Sequence, residues 1–333
     1  MAVIRKYNPG AMPPATLAMV AINVAIALID MFNDGLLERS LWARGIDVYY
    51  GQWWRLLGSA FVHGSLMHIA FNAYGIWILG RLFEGLQGWK AFLLVYFASA
   101  IGGSALGLVF YDPDIPALGA SGAAYGLMGA VLGFFYVKTG SIKGIWQVPI
   151  SRQLAVWFLI GIGVSLAPGI SLLGHLGGFI PGVILGIYLE YRYSRKADVF
   201  HHASAGVVLV LVLGFAVYAV YPWHRGNLYA GRAMAAYKRD DMQAGDALVQ
   251  EAKRRGVSGG GANLLQHLQL WRKYHDQNPK SFNTDVLLWP LTHAAQDSSL
   301  RHAHWDYLTP ADITDTQNVA PAPEPLDHSA GPD

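Results

Sequence analysis

The sequence predicts an all-α fold, in which a polytopic bundle of helices crosses a membrane. Of the 333 residues, 53% are hydrophobic and only 14% are charged, whereas about a quarter of the residues of a soluble domain are charged. Apolar runs of about 18 to 23 residues, which can span a bilayer as helices, recur along the chain. Glycines within these runs favour close helix contacts, and closed helices satisfy the backbone in lipid.

Seven apolar runs define the predicted organisation of the chain. They cover approximately residues 15–33, 66–83, 91–111, 115–137, 153–171, 172–189 and 204–221. A tight turn at Pro168-Gly169 separates the fifth span from the sixth. The polar tail, residues 224–309, is expected to be helical, with two short helices within 227–255. Residues 310–333 are rich in Pro, Asp and Ala and are expected to be disordered.

The composition excludes several classes of function. A net charge of +2 without a Lys-rich or Arg-rich tract argues against nucleic acid as a partner. The chain has no cysteine, which excludes disulfides, thiolate metal sites and a cysteine nucleophile. The first apolar run lacks a cleavage site for signal peptidase, so it is expected to remain as a helix in the lipid bilayer.

The distribution of lysine and arginine predicts the orientation of the spans. With residues 1–14 in the cytoplasm, ten basic residues lie on the inner side and three in the outer loops. The inner ones are Arg5, Lys6, Arg81, Lys90, Lys138, Lys143, Arg152, Arg192, Arg195 and Lys196, and the outer ones are Arg39, Arg44 and Arg55. The seventh span then places the tail outside, although basic residues just after that span, among them Arg225 and Arg232, favour the opposite side.

The connection at residues 34–65 is long and contains many aromatic residues. Tryptophan and tyrosine are enriched at the membrane–water interface, so this segment is expected to lie along or partly within the outer leaflet. A small exposed loop domain is an equally good interpretation of its composition.

Four polar residues lie at a similar depth in three of the spans. His68 and Asn72 share one face of the second span because they are four residues apart. Ser121 lies early in the fourth span and His175 early in the sixth. These three spans run from outside to inside, so all four side chains are expected in the outer half of the membrane. Ionisable groups there are costly and are candidates for function.

Small residues at intervals of four predict that the fourth and sixth spans pack closely. They are Gly122, Gly126 and Ala130 in the fourth span, and Gly174, Gly178, Gly182 and Gly186 in the sixth. Such a contact would bring the Ser121 hydroxyl within reach of the His175 imidazole. A serine needs an adjacent base to act as a nucleophile, and His68, Asn72 and the backbone N–H of Ser121 could stabilise the resulting oxyanion.

These residues also have other interpretations. A single serine among glycines most often serves helix packing, and intramembrane histidines also form proton relays and ion sites. The Gly-Ala-Ser-Gly quartet is not the Gly-x-Ser-x-Gly elbow of soluble hydrolases. The combination of residues on three spans is more specific than any one of them.

At about residues 10–195 the chain resembles the rhomboid family of intramembrane serine proteases. The resemblance depends on the motifs Trp54-Arg55, His63, His68-Ile-Ala-Phe-Asn72, Glu84, Gly119-Ala-Ser121-Gly122 and His175-Leu-Gly-Gly178, with Gly182. It implies a six-helix core at residues 15–195, to which the seventh helix at 204–221 is an addition. It also implies a catalytic dyad of Ser121 and His175, with His68 and Asn72 in the oxyanion hole.

The resemblance further implies a structural role for Trp54 and Arg55 in the first loop, and movement of the fifth span to admit substrate. Trp157 and Phe158, early in that span, are candidate gate residues. The predicted function is therefore a serine endopeptidase that cleaves transmembrane proteins, in a bacterial inner or plasma membrane, with its site open to the outside. The partner of the tail is not predicted.

No metal or cofactor is expected, because carboxylates in the spans lack metal-ligand spacing with the histidines. Two alternative functions are compatible with polar residues inside the spans. A proton-coupled transporter would contain inverted repeats, and the sequence has no internal symmetry. A non-catalytic protein that binds transmembrane helices would be favoured by loss of Ser121 or His175, and both are present.

Overall fold

The computed structural model of the protein describes residues 12–49, 51–111, 115–167, 169–193, 199–222 and 225–277. Helices dominate this part of the chain. In order, they are α1 (Pro14–Met31), α2 (Leu36–Leu41), α3 (Gly45–Tyr49), α4 (Arg55–Gly58), a 3-10 turn (Ser59–Phe61), α5 (Leu66–Gln87), α6 (Trp89–Phe110), α7 (Ser121–Thr139), α8 (Ile142–Gln147), α9 (Pro149–Val164), α10 (Leu172–Tyr193), α11 (Val199–Val220), α12 (Gly226–Lys238), α13 (Met242–Arg255) and α14 (Gly260–Gln277).

The predicted class of fold, a polytopic helical membrane bundle, is confirmed. Seven helices, α1, α5, α6, α7, α9, α10 and α11, lie at the seven predicted spans. Within the described ranges, four helices are long and apolar enough to cross a membrane, namely α1, α5, α6 and α10. Two shorter apolar stretches, Pro149–Val164 and Val210–Val220, lie in α9 and α11.

The fourth and fifth helices differ in extent from the predicted spans. The fourth span was expected from residue 115, but α7 begins at Ser121, and Ala117 instead exchanges two backbone hydrogen bonds with Ala43. Hydropathy does not distinguish an apolar extended segment from an apolar helix. The fifth helix was expected to end near 171 but ends at Val164, after which Gly169 adopts a φ of +82°. Pro168 lies outside the described residues.

The predicted close packing of the fourth and sixth spans is present between α7 and α10. A Cβ atom on Gly178 would lie 1.9 Å from the carbonyl oxygen of Gly122, and one on Gly182 would lie 2.1 Å from that of Gly126. Neither position can accept a side chain without separating the two backbones. These glycines therefore set the distance between the helix that bears Ser121 and the helix that bears His175.

Glu84 and Arg55 stabilise two segments around this helix pair. The Glu84 carboxylate, from α5, accepts hydrogen bonds from the backbone N–H groups of Ala15 and Thr16 and from the Thr16 hydroxyl, at 2.7 to 3.1 Å. It thereby satisfies amides at the N-terminus of α1. The buried Arg55 guanidinium donates to the carbonyl oxygens of Arg39 and Trp42, which fixes the path of the 34–65 connection.

The 34–65 connection is packed against the bundle. Its residues Ala43, Val48, Tyr49 and Leu56 are buried in one apolar cluster with residues of α6 and α11. The indole of Trp54, by contrast, is 48% exposed and meets the Trp53 ring edge to face, with ring centroids 6.4 Å apart. The connection is therefore part of the bundle rather than a separate domain. Trp42 is buried within it, whereas Trp53 and Trp54 remain available to a lipid interface.

The tail is helical where it is described, and it packs at the end of the bundle where α6 ends and α7 begins. Helices α12 and α13 occupy the predicted 227–255 region, and α14 is an additional helix. Arg225, just before α12, donates to the carbonyl oxygens of Val109 and Tyr111 at the end of α6. Leu228 joins the apolar cluster of the 34–65 connection. Residues 278–309 of the predicted tail, and 310–333, lie outside the described residues.

Candidate active site

Ser121 and His175 are in direct hydrogen-bond contact. Ser121 is the first residue of α7, and His175 lies in the first turn of α10. The Ser121 Oγ lies 2.9 Å from the His175 Nε2, which is the distance required between a nucleophile and its general base. His175 is 7% exposed, so its imidazole is held by the surrounding helices rather than by solvent.

Gly119 allows His68 and Asn72 of α5 to approach the backbone next to Ser121. Its φ of +107° lies in the left-handed region that favours glycine. A Cβ atom there would lie 2.5 Å from the His68 Nε2 and 3.6 Å from the Asn72 Nδ2. Both polar groups therefore face the backbone that leads into Ser121. The structure thus brings together all four residues that the sequence singled out as a site.

The N-terminal position of Ser121 adds a further donor. Amides in the first turn of a helix have no partner within the helix, and the helix dipole favours negative charge at that end. The Ser121 N–H can therefore face an oxyanion together with the Asn72 amide and the His68 imidazole. Gly122 allows α7 to pack closely against α10 next to this site, because a Cβ atom on it would lie 3.4 Å from the carbonyl oxygen of Gly174.

His63 supports the turn that precedes Ser121. The backbone N–H of Ala120 donates to the His63 Nε2 at 3.3 Å. Burial, with a smaller contribution from the neighbouring His68 imidazole, lowers the pKa of His63 to about 4. His63 is therefore neutral at neutral pH and can accept this bond. The sequence motif included His63 but gave no role for it.

Two further residues contact the His175 imidazole and were not predicted. The Tyr125 ring stacks on it, with centroids 4.1 Å apart and planes 7° apart. Tyr125 follows Ser121 by four residues, so helical spacing could have indicated this contact. The Ser165 Oγ lies 2.7 Å from the His175 Nδ1. Ser165 comes from the C-terminal end of α9, and no motif in the sequence connects it with His175.

The two candidate gate residues have different surroundings. Trp157 is 55% exposed on the outer surface of α9. The Phe158 ring stacks on Phe179 of α10, with centroids 3.9 Å apart, and meets Tyr125 edge to face. Phe158 therefore belongs to the packing that holds α9 near the site, whereas more than half of the Trp157 side chain is exposed.

A cavity of about 670 Å³ contains the site. Ser121, His175, His68 and Asn72 all line it, together with Ser165. A cavity of this size can hold an extended peptide segment and the water needed for hydrolysis. In the part of the chain that the structure describes, no group of three or more histidine or carboxylate side chains could hold a metal ion.

Comparison with known proteins agrees with this geometry. The family model of the rhomboid domain matches residues 50–192. The rhomboid protease GluP of Bacillus subtilis is 30% identical over 293 residues, which are 85% of this chain and 56% of that protein. YdcA of the same bacterium, whose name also places it among rhomboid proteases, is 30% identical over 152 residues, 45% of this chain and 74% of that protein.

A third relative, the rhomboid-like protease 3 of Toxoplasma gondii, is 30% identical over 174 residues, 49% of this chain and 63% of that protein. The chain belongs to the rhomboid family. It is an integral membrane protein that crosses the membrane several times. The chain spans between about a third and just over half of the length of the first curated relatives it matches. A match to GluP over 85% of the chain must extend beyond residues 50–192 and include the tail helices.

Proposed function

We propose that the protein is an intramembrane serine endopeptidase that cleaves transmembrane proteins with a dyad of Ser121 and His175. The observation that carries this proposal is the 2.9 Å contact between the Ser121 Oγ and the His175 Nε2. This contact lies inside a cavity between apolar helices. Membership of the rhomboid family supports the same activity.

The geometry suits acyl transfer. His175 takes the hydroxyl proton as the Ser121 Oγ attacks the scissile carbonyl carbon, and the carbonyl oxygen becomes an oxyanion. The C–N bond then breaks, and His175 returns the proton to the leaving amine. Water, activated in turn by His175, hydrolyses the ester on Ser121 and restores the hydroxyl. The donors near Gly119 stabilise both tetrahedral intermediates.

Cleavage of a reporter substrate tests the proposal. A single transmembrane helix with a fluorescent tag should be cut in proteoliposomes that contain the wild-type chain, and should stay intact with Ser121→Ala. Ser99→Ala is a matched control, because Ser99 is fully buried on α6 beside the same helix but does not line the cavity. Equal cleavage by wild type and Ser121→Ala would exclude a serine nucleophile at this position.

Asn72→Ala should lower kcat by roughly 10- to 1,000-fold while the protein still folds and inserts. The Asn72 amide is one of three donors available to the oxyanion, and loss of one such donor typically costs about 2.7–4 kcal/mol. The remaining donors, His68 and the Ser121 N–H, should preserve partial activity. Initial rates at saturating substrate provide the measurement.

Asn23→Ala is the matched control for this prediction. It removes a buried amide that donates to the Tyr96 hydroxyl, away from the cavity, so kcat per folded molecule should not change. A normal kcat in Asn72→Ala would remove that side chain from the oxyanion hole.

Trp157→Ala should increase cleavage of transmembrane substrates if substrate reaches Ser121 past α9. Trp157 is a bulky exposed side chain on that helix, and its removal lowers the steric barrier to a helix approaching from lipid. A short soluble peptide, which enters from water, should be cleaved at the wild-type rate. A cross-link between α5 and α9 that leaves cleavage of the transmembrane substrate unchanged would place the gate elsewhere.

We also propose that the N-terminus lies in the cytoplasm of a bacterial cell and that the cavity and tail lie outside. The positive-inside bias supports the orientation, and the contacts of Arg225 and Leu228 support a tail on the same side as Ser121. The tail therefore lies where it could contact the extramembrane part of a substrate.

Cysteine labelling should report this orientation, because the chain has no cysteine of its own. Gln243→Cys is exposed on α13 and Lys143→Cys is exposed on α8, at the opposite end of α7 from Ser121. A membrane-impermeant maleimide should label only Gln243→Cys in spheroplasts. Labelling of Lys143→Cys alone would invert the proposed orientation.

A further inference from the structure

Ser165 makes two hydrogen bonds that connect the end of α9 to the site, and its hydroxyl also interacts with the Tyr125 hydroxyl. Its hydroxyl oxygen lies 2.7 Å from the His175 Nδ1 and 2.6 Å from the carbonyl oxygen of Gly161. The side chain is almost completely buried, at 3% exposure.

The number of available protons fixes the direction of both bonds. A hydroxyl has one proton, and the Gly161 carbonyl oxygen can only accept, so the Ser165 proton is donated to Gly161. The contact with His175 then requires a proton on Nδ1, which donates to the Ser165 oxygen. A neutral imidazole with its proton on Nδ1 has a lone pair on Nε2. That lone pair faces the Ser121 hydroxyl.

We propose that Ser165 is a positioning residue for the general base and fixes the tautomer in which the His175 Nε2 can accept the proton of Ser121. This inference rests on the proposed dyad. The site then contains a chain of three hydrogen bonds, from Ser121 through His175 and Ser165 to the Gly161 carbonyl. When His175 becomes protonated during catalysis, its Nδ1–H continues to donate to Ser165. The carboxylate of a Ser-His-Asp triad has the same orienting role, and here a neutral hydroxyl performs it.

The alternative is that Ser165 serves only the end of its own helix. Serine often donates to the carbonyl four residues earlier, and Ser165→Ala would then affect stability but not chemistry. The two roles differ in kinetics. A positioning residue affects the transition state, so its loss lowers kcat with little change in KM. A residue needed only for helix capping lowers the amount of folded enzyme and leaves the kcat of the folded fraction unchanged.

Four variants test the proposal, assayed in proteoliposomes with the fluorescent transmembrane reporter. Ser165→Ala should lower kcat by at least about tenfold, short of the ~10⁴-fold loss that follows replacement of the Asp in a Ser-His-Asp triad. Ser165→Thr and Ser165→Val have nearly the same shape and differ by one hydroxyl. The Thr variant should retain most of the kcat and the Val variant should lose it. Ser151→Ala is the control. Ser151 lies at the other end of α9, and its buried hydroxyl donates to the Ile145 carbonyl of α8, so the kcat of this variant should be normal.

The outcomes separate this inference from the proposed function. Equal kcat values for Ser165→Thr and Ser165→Val, with Ser121→Ala inactive, would overturn the role of Ser165 and leave the dyad intact. Wild-type cleavage by Ser121→Ala would instead overturn the dyad itself. A loss of kcat in Ser151→Ala as large as that in Ser165→Ala would show that kcat falls whenever α9 loses a buried hydroxyl, with or without contact to His175, and would also contradict the proposal.

Discussion

His175→Ala and Ser121→Ala should each lower turnover by about four orders of magnitude or more, and the double variant should be scarcely worse than either one. In the proposed dyad, the hydroxyl and the imidazole act as a unit across a distance of 2.9 Å. Without the base, the hydroxyl is a poor nucleophile, and without the hydroxyl, the base has no proton to take. Once one member is absent, the other contributes little, so the two losses are not additive.

Single-turnover rates with the reporter helix would measure this prediction. His267→Ala is the matched control, because His267 is a buried histidine in α14, far from the site in the sequence and in the tail. It should cleave at the wild-type rate. If the double variant lost activity by the product of the two single losses, Ser121 and His175 would act independently, and the dyad would be excluded.

Gly178→Val should strongly lower the fraction of the protein that folds into the helical bundle. A Cβ atom at this position would lie 1.9 Å from the Gly122 carbonyl oxygen, so α7 and α10 must separate before the side chain can fit. Overpacking commonly costs about 1–3 kcal/mol, and more where a backbone blocks relaxation. The separation would also lengthen the contact between Ser121 and His175, so the remaining folded protein should have lower activity.

Thermal unfolding in detergent, followed with the cleavage assay, measures both consequences. Gly214→Val introduces the same side chain into α11, where nothing lies within 4 Å of an added Cβ atom, and it should have little effect on stability. Equal melting temperatures for the two variants would contradict the close contact between α7 and α10.

Much of the site could be predicted from the sequence, because its chemistry depends on residue type and on spacing within single helices. Asn72 follows His68 by one helical turn, and the glycines of α10 recur every four residues. These periodicities predict which side chains share a face. The equal depth of Ser121 and His175 followed from the alternating direction of the spans.

The remaining features depend on contacts that local periodicity does not encode. Ser165 reaches His175 only because α9 ends at Val164 and the chain turns back before α10. The start of α7 at Ser121 was hidden because the apolar residues before it form a bridge with Ala43. Hydrophobicity gives the same signal for both conformations. The bounds of α14 were not predicted either, because the sequence indicated a helical tail at 224–309 but defined separate helices only within 227–255.

The most direct measurement of the central claim is covalent labelling of the protein with a fluorophosphonate, followed by mass spectrometry. An activated serine reacts with this electrophile, whereas a serine that only packs helices does not. The label should appear on Ser121 and should disappear in His175→Ala, which leaves the hydroxyl in place and removes its base. Label on another serine, or undiminished labelling of Ser121 without His175, would contradict the account and assign the Gly-Ala-Ser-Gly stretch to helix packing.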